Sequence, residues 1–272
     1  MSIPFGHHQL HNRYTFDGML ELVTPLRISS GYASDTTDAP FMRGYDGTPY
    51  IPGSSLRGAI RSEVERVLAG VGEEKAEIRS CTLFEKDSCD EKIRNCLDKI
   101  KEKEKQPINN ELIKQLAEKY LCDVCKLFGS TVYASRLIIE DAMPKTTGIE
   151  AAKSRLRIRD GVGIDRDTGA AVEGAKFDYE VIEPGAGCPL FCFRMVAENV
   201  TDIDRKLIDL ILNLLKQGLY VGGKRTGGLG RLGQVKLRDD CIVTGFKDSA
   251  VLWDALAAKE EIDKTIKREE EI

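Results

Sequence analysis

Apolar and polar residues alternate through RYTFDGMLELVTPLRI (residues 13–28), which predicts a long first strand with Phe16, Met19 and Leu22 as core candidates. Residues 29–50 lose that period. They are rich in Gly, Ser, Thr and Asp and read as an irregular stretch that exposes Asp35, Asp38 and Asp46. The turn IPGSS (residues 51–55) then starts a helix to about Leu68, with Ser55 as the expected N-cap and Leu56, Ile60, Val64 and Val67 as its buried stripe. Residues 71–126 read as an insertion, because residues 87–118 are highly charged, helix-permissive and bracketed by cysteines. Beyond it, residues 135–141 (SRLIIED) read as a buried strand. Residues 153–159 (KSRLRIR) alternate basic with apolar or small residues, which on a strand puts Arg155, Arg157 and Arg159 on one face. A polar hairpin is expected over 161–187, with turn residues at 164–169 and 170–174 and a return strand at 177–181. Residues 190–197 form another core strand. Residues 202–219 form a helix capped by Asp202, with Ile203, Leu207, Leu210, Ile211 and Leu214 at helical spacing. Strands near 234–245 and a charged helix from about Asp248 complete the chain.

The order strand–helix–strand, twice over, predicts an α+β fold: a ferredoxin-like sheet related to the RRM scaffold, built from residues 1–70 and 127–246. Residues 71–126 are the inserted domain, and residues 247–272 the C-terminal helix. An RRM displays aromatic RNP motifs on its sheet. None is found here, so RNA would be gripped by loops. With 272 residues, 42% of them hydrophobic, the chain can bury a sizeable core. The start MSIPFGHHQLHNRYTF is polar and no apolar run is long enough to span a bilayer, so a soluble, cytoplasmic protein with no membrane partner is expected. A net charge of −4 argues against indiscriminate nucleic-acid binding, yet the acidic residues cluster at 98–119 and in the tail. A local basic groove is compatible with that sum.

Candidate chemistry centres on GLYVGGKRTGGLGRLG (residues 218–233), in which seven of sixteen residues are glycine and Lys224, Arg225 and Arg231 interrupt them. Successive exposed N–H groups in such a loop can cradle an anion. Gly218-x-x-x-x-Gly223-Lys224 matches most of a nucleotide P-loop, but Arg225 stands where the Mg²⁺-binding hydroxyl belongs. The loop also follows a helix and runs into a strand, the reverse of a P-loop. It therefore reads as a loop that touches a phosphate backbone, or as a glycine-rich turn with solvated charges. Arg57 and Arg61 lie in the first two turns of the first predicted helix, where N–H groups and basic side chains can converge on one phosphate. The alternative is a pair of solvated arginines. Eight cysteines in a cytosolic chain point to thiols or metal rather than disulfides. Cys122-Asp-Val-Cys125, with Cys81 and either Cys89 or Cys96, can complete a closed tetrahedral zinc site; Cys96 lies deeper in a helix-like run, which favours Cys89. Cys188, Cys192 and Cys241 read as small buried hydrophobes.

IPGSSLRG (51–58), CDVCKLFGS (122–130), IDRDTG (164–169) and the glycines of 222–233 occur in an order that resembles the RAMP superfamily, in particular the backbone subunits of type III CRISPR effector complexes. The resemblance implies an RRM-like palm and an inserted domain holding structural zinc on Cys81, Cys89, Cys122 and Cys125. It also implies a thumb β-hairpin at about 161–186. Copies of such a subunit stack as a filament along a guide RNA, beside other CRISPR effector subunits, and each thumb kinks the guide–target duplex. RNA contacts are then expected at Ser54, Ser55, Arg57, Arg61, Arg157, Arg166, Gly223, Lys224, Arg225, Gly227 and Gly228. Slicing members cut target RNA with a loop aspartate in an Asp-small-Pro context and a divalent ion, Mg or Mn. Asp38-Ala39-Pro40 matches that context, with Asp35 as a neighbouring competitor. Three alternatives remain open: an RNA-binding subunit whose Asp38 is only structural, a stand-alone guide-processing ribonuclease using His7, His8 and His11, and a nucleotide-dependent enzyme using the glycine loop.

Overall fold

The computed structural model describes residues 6–34, 37–82, 85–104, 109–185, 191–237 and 242–245. The chain begins with β1 (Asn12–Leu20) and α1 (Gly53–Val71), followed by α2 (Glu73–Ala76), α3 (Cys89–Glu104), α4 (Asn110–Tyr120) and α5 (Asp123–Phe128). It continues through β2 (Leu137–Ile139), α6 (Ile149–Ser154), β3 (Leu156–Ile164) and β4 (Ala171–Ile182). β5 (Phe191–Glu198), α7 (Asp202–Gln217), β6 (Lys236–Leu237) and β7 (Ile242–Gly245) close the described fold. It is a mixed α+β fold with two antiparallel sheets. The larger has the order β2-β5-β1-β6, with β7 also paired to β1, so the two strand–helix–strand units interleave. The smaller is the β3–β4 hairpin.

One face of the large sheet buries Phe16 and Leu20 of β1 with Phe191, Phe193, Met195 and Ala197 of β5. They share a core with Leu56, Ile60 and Val64 of α1 and Leu207, Ile211 and Leu215 of α7. The opposite face carries the cross-strand ion pairs Arg13–Glu198 and Asp17–Arg194. That face has charge where an RRM has stacked aromatics. The first strand keeps its strand pairing only to Leu20, and Leu20 rather than Met19 shares the buried face with Phe16, two positions being one period. In α1, Leu68 is buried and Val67 only half so.

Two helix starts differ from the sequence expectation, one through a tertiary contact and one through a local capping box. Ser55 is not the cap of α1: Pro52 is, and the first N–H, on Gly53, donates to the carboxylate of Asp141 at 2.7 Å. α7 is capped by Thr201, not Asp202. The Thr201 hydroxyl accepts from the Asp204 N–H, and the Asp204 carboxylate accepts from the Thr201 N–H, a reciprocal capping box. Residues 153 and 154 end the short helix α6, so Arg155 precedes the strand and only Arg157 and Arg159 share its face. The hairpin starts at Leu156, and its return strand covers residues 171–174, where the glycine at 174 suggests a turn. Cys192 is exposed, on the outer face of β5. Cys188, Cys241 and the expected helix at 247–272 lie outside the described residues.

Two glycines of α1 have opposite consequences. A Cβ on Gly53 would stand 2.1 Å from the Ile139 carbonyl oxygen of β2, whereas one on Gly58 would meet nothing within 4 Å. Gly53→Ala should therefore destabilise the fold by about 1–3 kcal/mol through forced separation of α1 and β2. Gly58→Ala should stabilise it by up to about 1 kcal/mol through helix propensity. Urea-denaturation midpoints of the two variants should move in opposite directions.

Candidate metal centre and nucleic-acid interface

Four cysteines converge between α3 and α5, ahead of β2. Cys81 precedes α3, Cys89 is its first residue, Cys122 caps α5 and Cys125 sits in its first turn. Their sulfurs all lie within 4.8 Å of one another, with Cys81–Cys125 at 3.5 Å and Cys81–Cys122 at 3.8 Å. A tetrahedral ZnS₄ centre with bonds of about 2.3 Å has sulfur–sulfur edges of about 3.8 Å. The 3.5 and 3.8 Å separations lie near that edge, and the 4.8 Å span of the whole set is compatible with one metal ion between the four sulfurs. Backbone N–H groups already point at the sulfurs: Cys122 N–H donates to Cys89 Sγ at 3.2 Å, and Cys125 N–H to Cys122 Sγ at 3.4 Å. Cys89, not Cys96, joins the cluster, because Cys96 lies two turns further along α3. Hydrogen bonds from Cys122 and Cys125 lower the pKa of the Cys81 thiol to about 6. Cys125 is pushed up, by Cys122 first and then by Cys81 and Cys89. Ionising all four sulfurs at this distance would require a cation between them, a role that a divalent metal fills.

α1 backs this centre. Arg57 Nη2 donates to the Phe128 carbonyl, while its Nε is buried without a partner. Arg61 is buried; its guanidinium donates to Glu65, the Gly129 carbonyl and Cys125 Sγ. Among the expected RNA contacts Arg61 is thus turned inward. Ser54 is exposed and Ser55 half-buried at the start of the same helix.

A second convergence lies at the base of the hairpin. The glycine loop is zipped to residues 21–27: Gly223 N–H donates to Arg27 O at 2.9 Å, Gly230 N–H to Pro25 O and Gly233 N–H to Glu21 O at 2.8 Å each. Gly222 and Gly230 are needed for this approach. Both have φ near +80°, and a Cβ on either would stand 2.2 Å or less from a carbonyl oxygen. Gly227 is different: it has nothing within 4 Å and an ordinary φ, so the fold itself gives no reason for glycine there. Lys224 places its ammonium 4.2 Å from the Phe177 ring centre and 4.1 Å from that of Tyr179, and Arg27 lies over Tyr179 at 5.1 Å. Loss of hydration, then the charge of Arg27, pushes the Lys224 ammonium below its usual range. Neither cation has an ion pair among the described residues.

On the edge of the same strand lies the Asp38 loop. Asp38 N–H donates to Asp178 Oδ1 at 2.8 Å, Thr37 Oγ1 donates to the same oxygen at 2.6 Å, and Asp178 N–H donates to Asp38 Oδ2 at 3.1 Å. The Thr37 hydroxyl and then the Asp38 N–H hold the Asp178 carboxyl below the usual carboxylate range. Asp38 is exposed. Asp35 falls outside the described residues.

The hairpin base therefore gathers Asp38, Lys224, Gly223 and the neighbouring loop glycines. Arg157 is exposed on β3, with Nη1 donating to the Ser154 and Leu156 carbonyls, and Arg166 is exposed in the hairpin turn. Arg225 opens a 3-10 turn with Gly227, and its guanidinium lies 6.0 Å from the Tyr220 ring. Sequence reasoning missed Arg27, Phe177, Tyr179 and Asp178. The i, i+2 aromatics of FDYE carried a signal for one-sided display on a strand; Arg27 carried none, because its role depends on the loop brought beside it. The nucleotide alternative finds no support in the loop geometry: Lys224 adopts a left-handed conformation and leads into a three-residue 3-10 turn rather than into the helix N-terminus that a P-loop aims at its phosphate. His7 packs on Tyr133 and shares a hydrogen bond with Ala134 O, a few residues after α5 in sequence. Among the described residues no helix is long and apolar enough to cross a membrane.

Residues 19–233 match the sequence model of the RAMP superfamily, a span that runs from within β1 to the last glycine of the loop. The chain belongs to the RAMP superfamily. This RAMP protein is also similar to the CRISPR system Cms endoribonuclease Csm3 of Methanocaldococcus jannaschii, with 27% identity over 242 residues, 85% of this chain and 80% of that relative. The RAMP match takes in the four cysteines and the hairpin base together.

The metal centre of this RAMP protein should hold one Zn²⁺ per chain, measured by elemental analysis of the purified protein. Cys122→Ser should abolish that metal and raise amide exchange across 73–128, while exchange in β1 and β5 stays slow. Full metal content in the variant would exclude the four-thiolate site.

Proposed function

We propose that this protein is a guide-RNA-binding backbone subunit of a type III CRISPR effector complex, and that it cleaves guide-matched target RNA with Asp38 and a divalent ion, Mg or Mn. Its partners are the guide RNA, the target RNA, other CRISPR effector subunits and further copies of itself stacked as a filament, all in the cytoplasm. The large sheet with α1 and α7 is the palm, residues 71–126 the metal-bearing insert, and the β3–β4 hairpin the thumb. The observation that carries the reading is the hairpin base. There an exposed loop carboxylate bonds to the same strand as an aromatic pair covered by two cations, neither with a carboxylate partner among the described residues. Cations over aromatic faces suit a phosphodiester chain with its bases. An unhindered glycine at 227 leaves room for a backbone to come close. The thumb also exposes Ile158, Val162, Ile164 and Val172, each 45–55% accessible, an apolar surface suited to wedging between bases or meeting a neighbouring copy.

The reaction needs little covalent help. In a kinked target strand the 2′-oxygen comes into line with the adjacent phosphorus; the new O–P bond forms as the bond to the 5′-oxygen breaks, giving a cyclic phosphate and a free 5′-hydroxyl. Asp38 would orient or deprotonate the 2′-hydroxyl, and the leaving 5′-oxygen takes a proton from water. A divalent ion there would supply charge compensation on the phosphate.

One observation favours the non-catalytic reading: Asp38 Oδ2 already accepts from the Asp178 N–H. The two readings separate in one experiment on the assembled complex with a labelled guide-matched target. Asp38→Ala should abolish metal-dependent cleavage while RNA binding by gel shift changes by less than about threefold. Retained cleavage would remove the catalytic assignment, and parallel loss of binding would make Asp38 structural.

The groove itself is tested by salt dependence. Lys224→Glu should weaken binding of any RNA sequence and reduce the slope of log K against log salt by about 0.7–0.9, the value for one lost phosphate contact. Gly227→Val should weaken RNA binding without lowering the urea midpoint. RNA affinity unmoved in both variants would displace the guide from this loop.

A further inference from the structure

We infer that Arg61 is a positioning residue of the metal centre and not a ligand of RNA: it holds the Cys125 thiolate from the α1 side and locks α1 to the end of α5. Three features carry this. Its side chain is 10% accessible, so no phosphate reaches it without displacing protein. Each of its three nitrogens has an internal acceptor: Nε donates to Glu65 Oε1 at 2.7 Å, Nη1 to Gly129 O at 3.0 Å, and Nη2 to Cys125 Sγ at 3.2 Å. Gly129 is itself fixed, because its φ is +82° and a Cβ there would stand 2.8 Å from the Ser135 nitrogen. The carbonyl that Arg61 holds is therefore presented by a rigid turn at the C-terminal end of α5, where carbonyls lack intrahelical partners.

The chemistry follows from charge. Four thiolates around a dication leave a net charge of minus two in a largely buried site. An N–H⁺···S⁻ bond spreads that charge and fixes the direction of one sulfur lone pair. Among the described residues Arg61 is the cation with a hydrogen bond to a cluster sulfur. Glu65 completes the arrangement by holding the planar guanidinium in the orientation that aims Nη2 at sulfur, as outer partners do at metal sites generally. The inference stands apart from the RNA reading, since it concerns a metal and this chain alone.

The test uses the full chain loaded with Zn²⁺, with Zn²⁺ affinity read by competition with a chromogenic chelator and the Co²⁺-substituted protein read by its thiolate-to-metal absorption. Arg61→Gln should weaken Zn²⁺ by about 10–100-fold, the usual cost of losing an outer-sphere partner, and should shift the Co²⁺ band. Arg61→Lys, which keeps the charge but not the fork, should fall between that variant and wild type. The salt slope of RNA binding should be unchanged in both. Zn²⁺ affinity within about twofold of wild type, or a salt slope reduced by about 0.7–0.9 as for a lost phosphate contact, would overturn the assignment. If Arg61→Gln does not fold, Glu65→Gln gives the second test: it leaves the donors to Cys125 and Gly129 in place and should lose less Zn²⁺ affinity than Arg61→Lys. A greater loss would show that the carboxylate, not the guanidinium, serves the centre. Absence of RNA binding by the wild-type chain would sink the proposed function and leave the metal result intact.

Discussion

The backbone of residues 21–30 has to satisfy two partners at once, and the arrangement of the functional surface depends on it. One edge is taken by the glycine loop, through hydrogen bonds to Glu21, Pro25 and Arg27 carbonyls and from the Val23 N–H to Arg231 O. The other is taken by the hairpin and the Asp38 loop: Leu26 and Ile182 exchange both hydrogen bonds at 3.0 Å, Met42 N–H donates to Ile28 O and Ser30 N–H to Pro40 O. A segment whose main-chain groups are committed on both edges has no freedom to shift register. Three parts of the chain distant in sequence are thereby held in one fixed relation, though residues 21–30 are not themselves a regular strand.

Side chains reinforce this seam with both apolar burial, through Leu26, Ile28, Phe41 and Ile182, and charge. Glu180, buried at the root of β4, accepts from the Phe41 N–H at 2.9 Å and pairs with Arg43. Tyr179, Val181 and Leu229, with Ala39 against them, form a small apolar cluster separate from the main core. Buried hydrogen-bonded carboxylates give direction where packing alone gives only proximity. The end of the insertion is tied down in the same manner by Arg136, whose guanidinium reaches Lys126 O, Asn199 O and the Asp204 carboxylate of the α7 capping box.

Much of this was legible in the sequence, and the exceptions have a common cause. Period and breakers located β5, α7 and α1 closely, because each buries one face against a single core, whereas the largely exposed hairpin was displaced by several residues at its start. The cysteine spacing pointed to Cys89 over Cys96 for a local reason: the start of a helix can present a side chain to a neighbouring loop more freely than its middle. Ser55 and Asp202 were good local caps, yet Asp141 and Thr201 hold those positions, and in the first case the cap comes from 88 residues away. Arg57 and Arg61 show the same limit. Two arginines one turn apart look alike in one dimension, but the position of α5 decides that Arg61 is buried and fully bonded while Arg57 keeps an unpartnered Nε. The aromatic pair on β4 acquires its cations only when the glycine loop is folded back onto residues 21–27.

The pairing of β1 has a consequence for the order in which the molecule assembles. Its central neighbour is β5, and the Arg13–Glu198 pair joins residues 185 positions apart; its outer neighbours, β6 and β7, lie later still. During synthesis the hydrogen-bonding edges of β1 therefore wait for roughly the last third of the chain before they are paired. The cysteine-bearing helices, whose contacts are local, can close well before that. Long-range pairing of this kind is slow and leaves unpaired strand edges open to other chains in the interval. Early closure of the contacts among Cys81, Cys89, Cys122 and Cys125 would shorten the effective loop between β1 and its partner, since closure entropy grows with the length of free chain. The four-cysteine segment, which lies between β1 and β5 in sequence, thus brings the two strands nearer to one another before they pair.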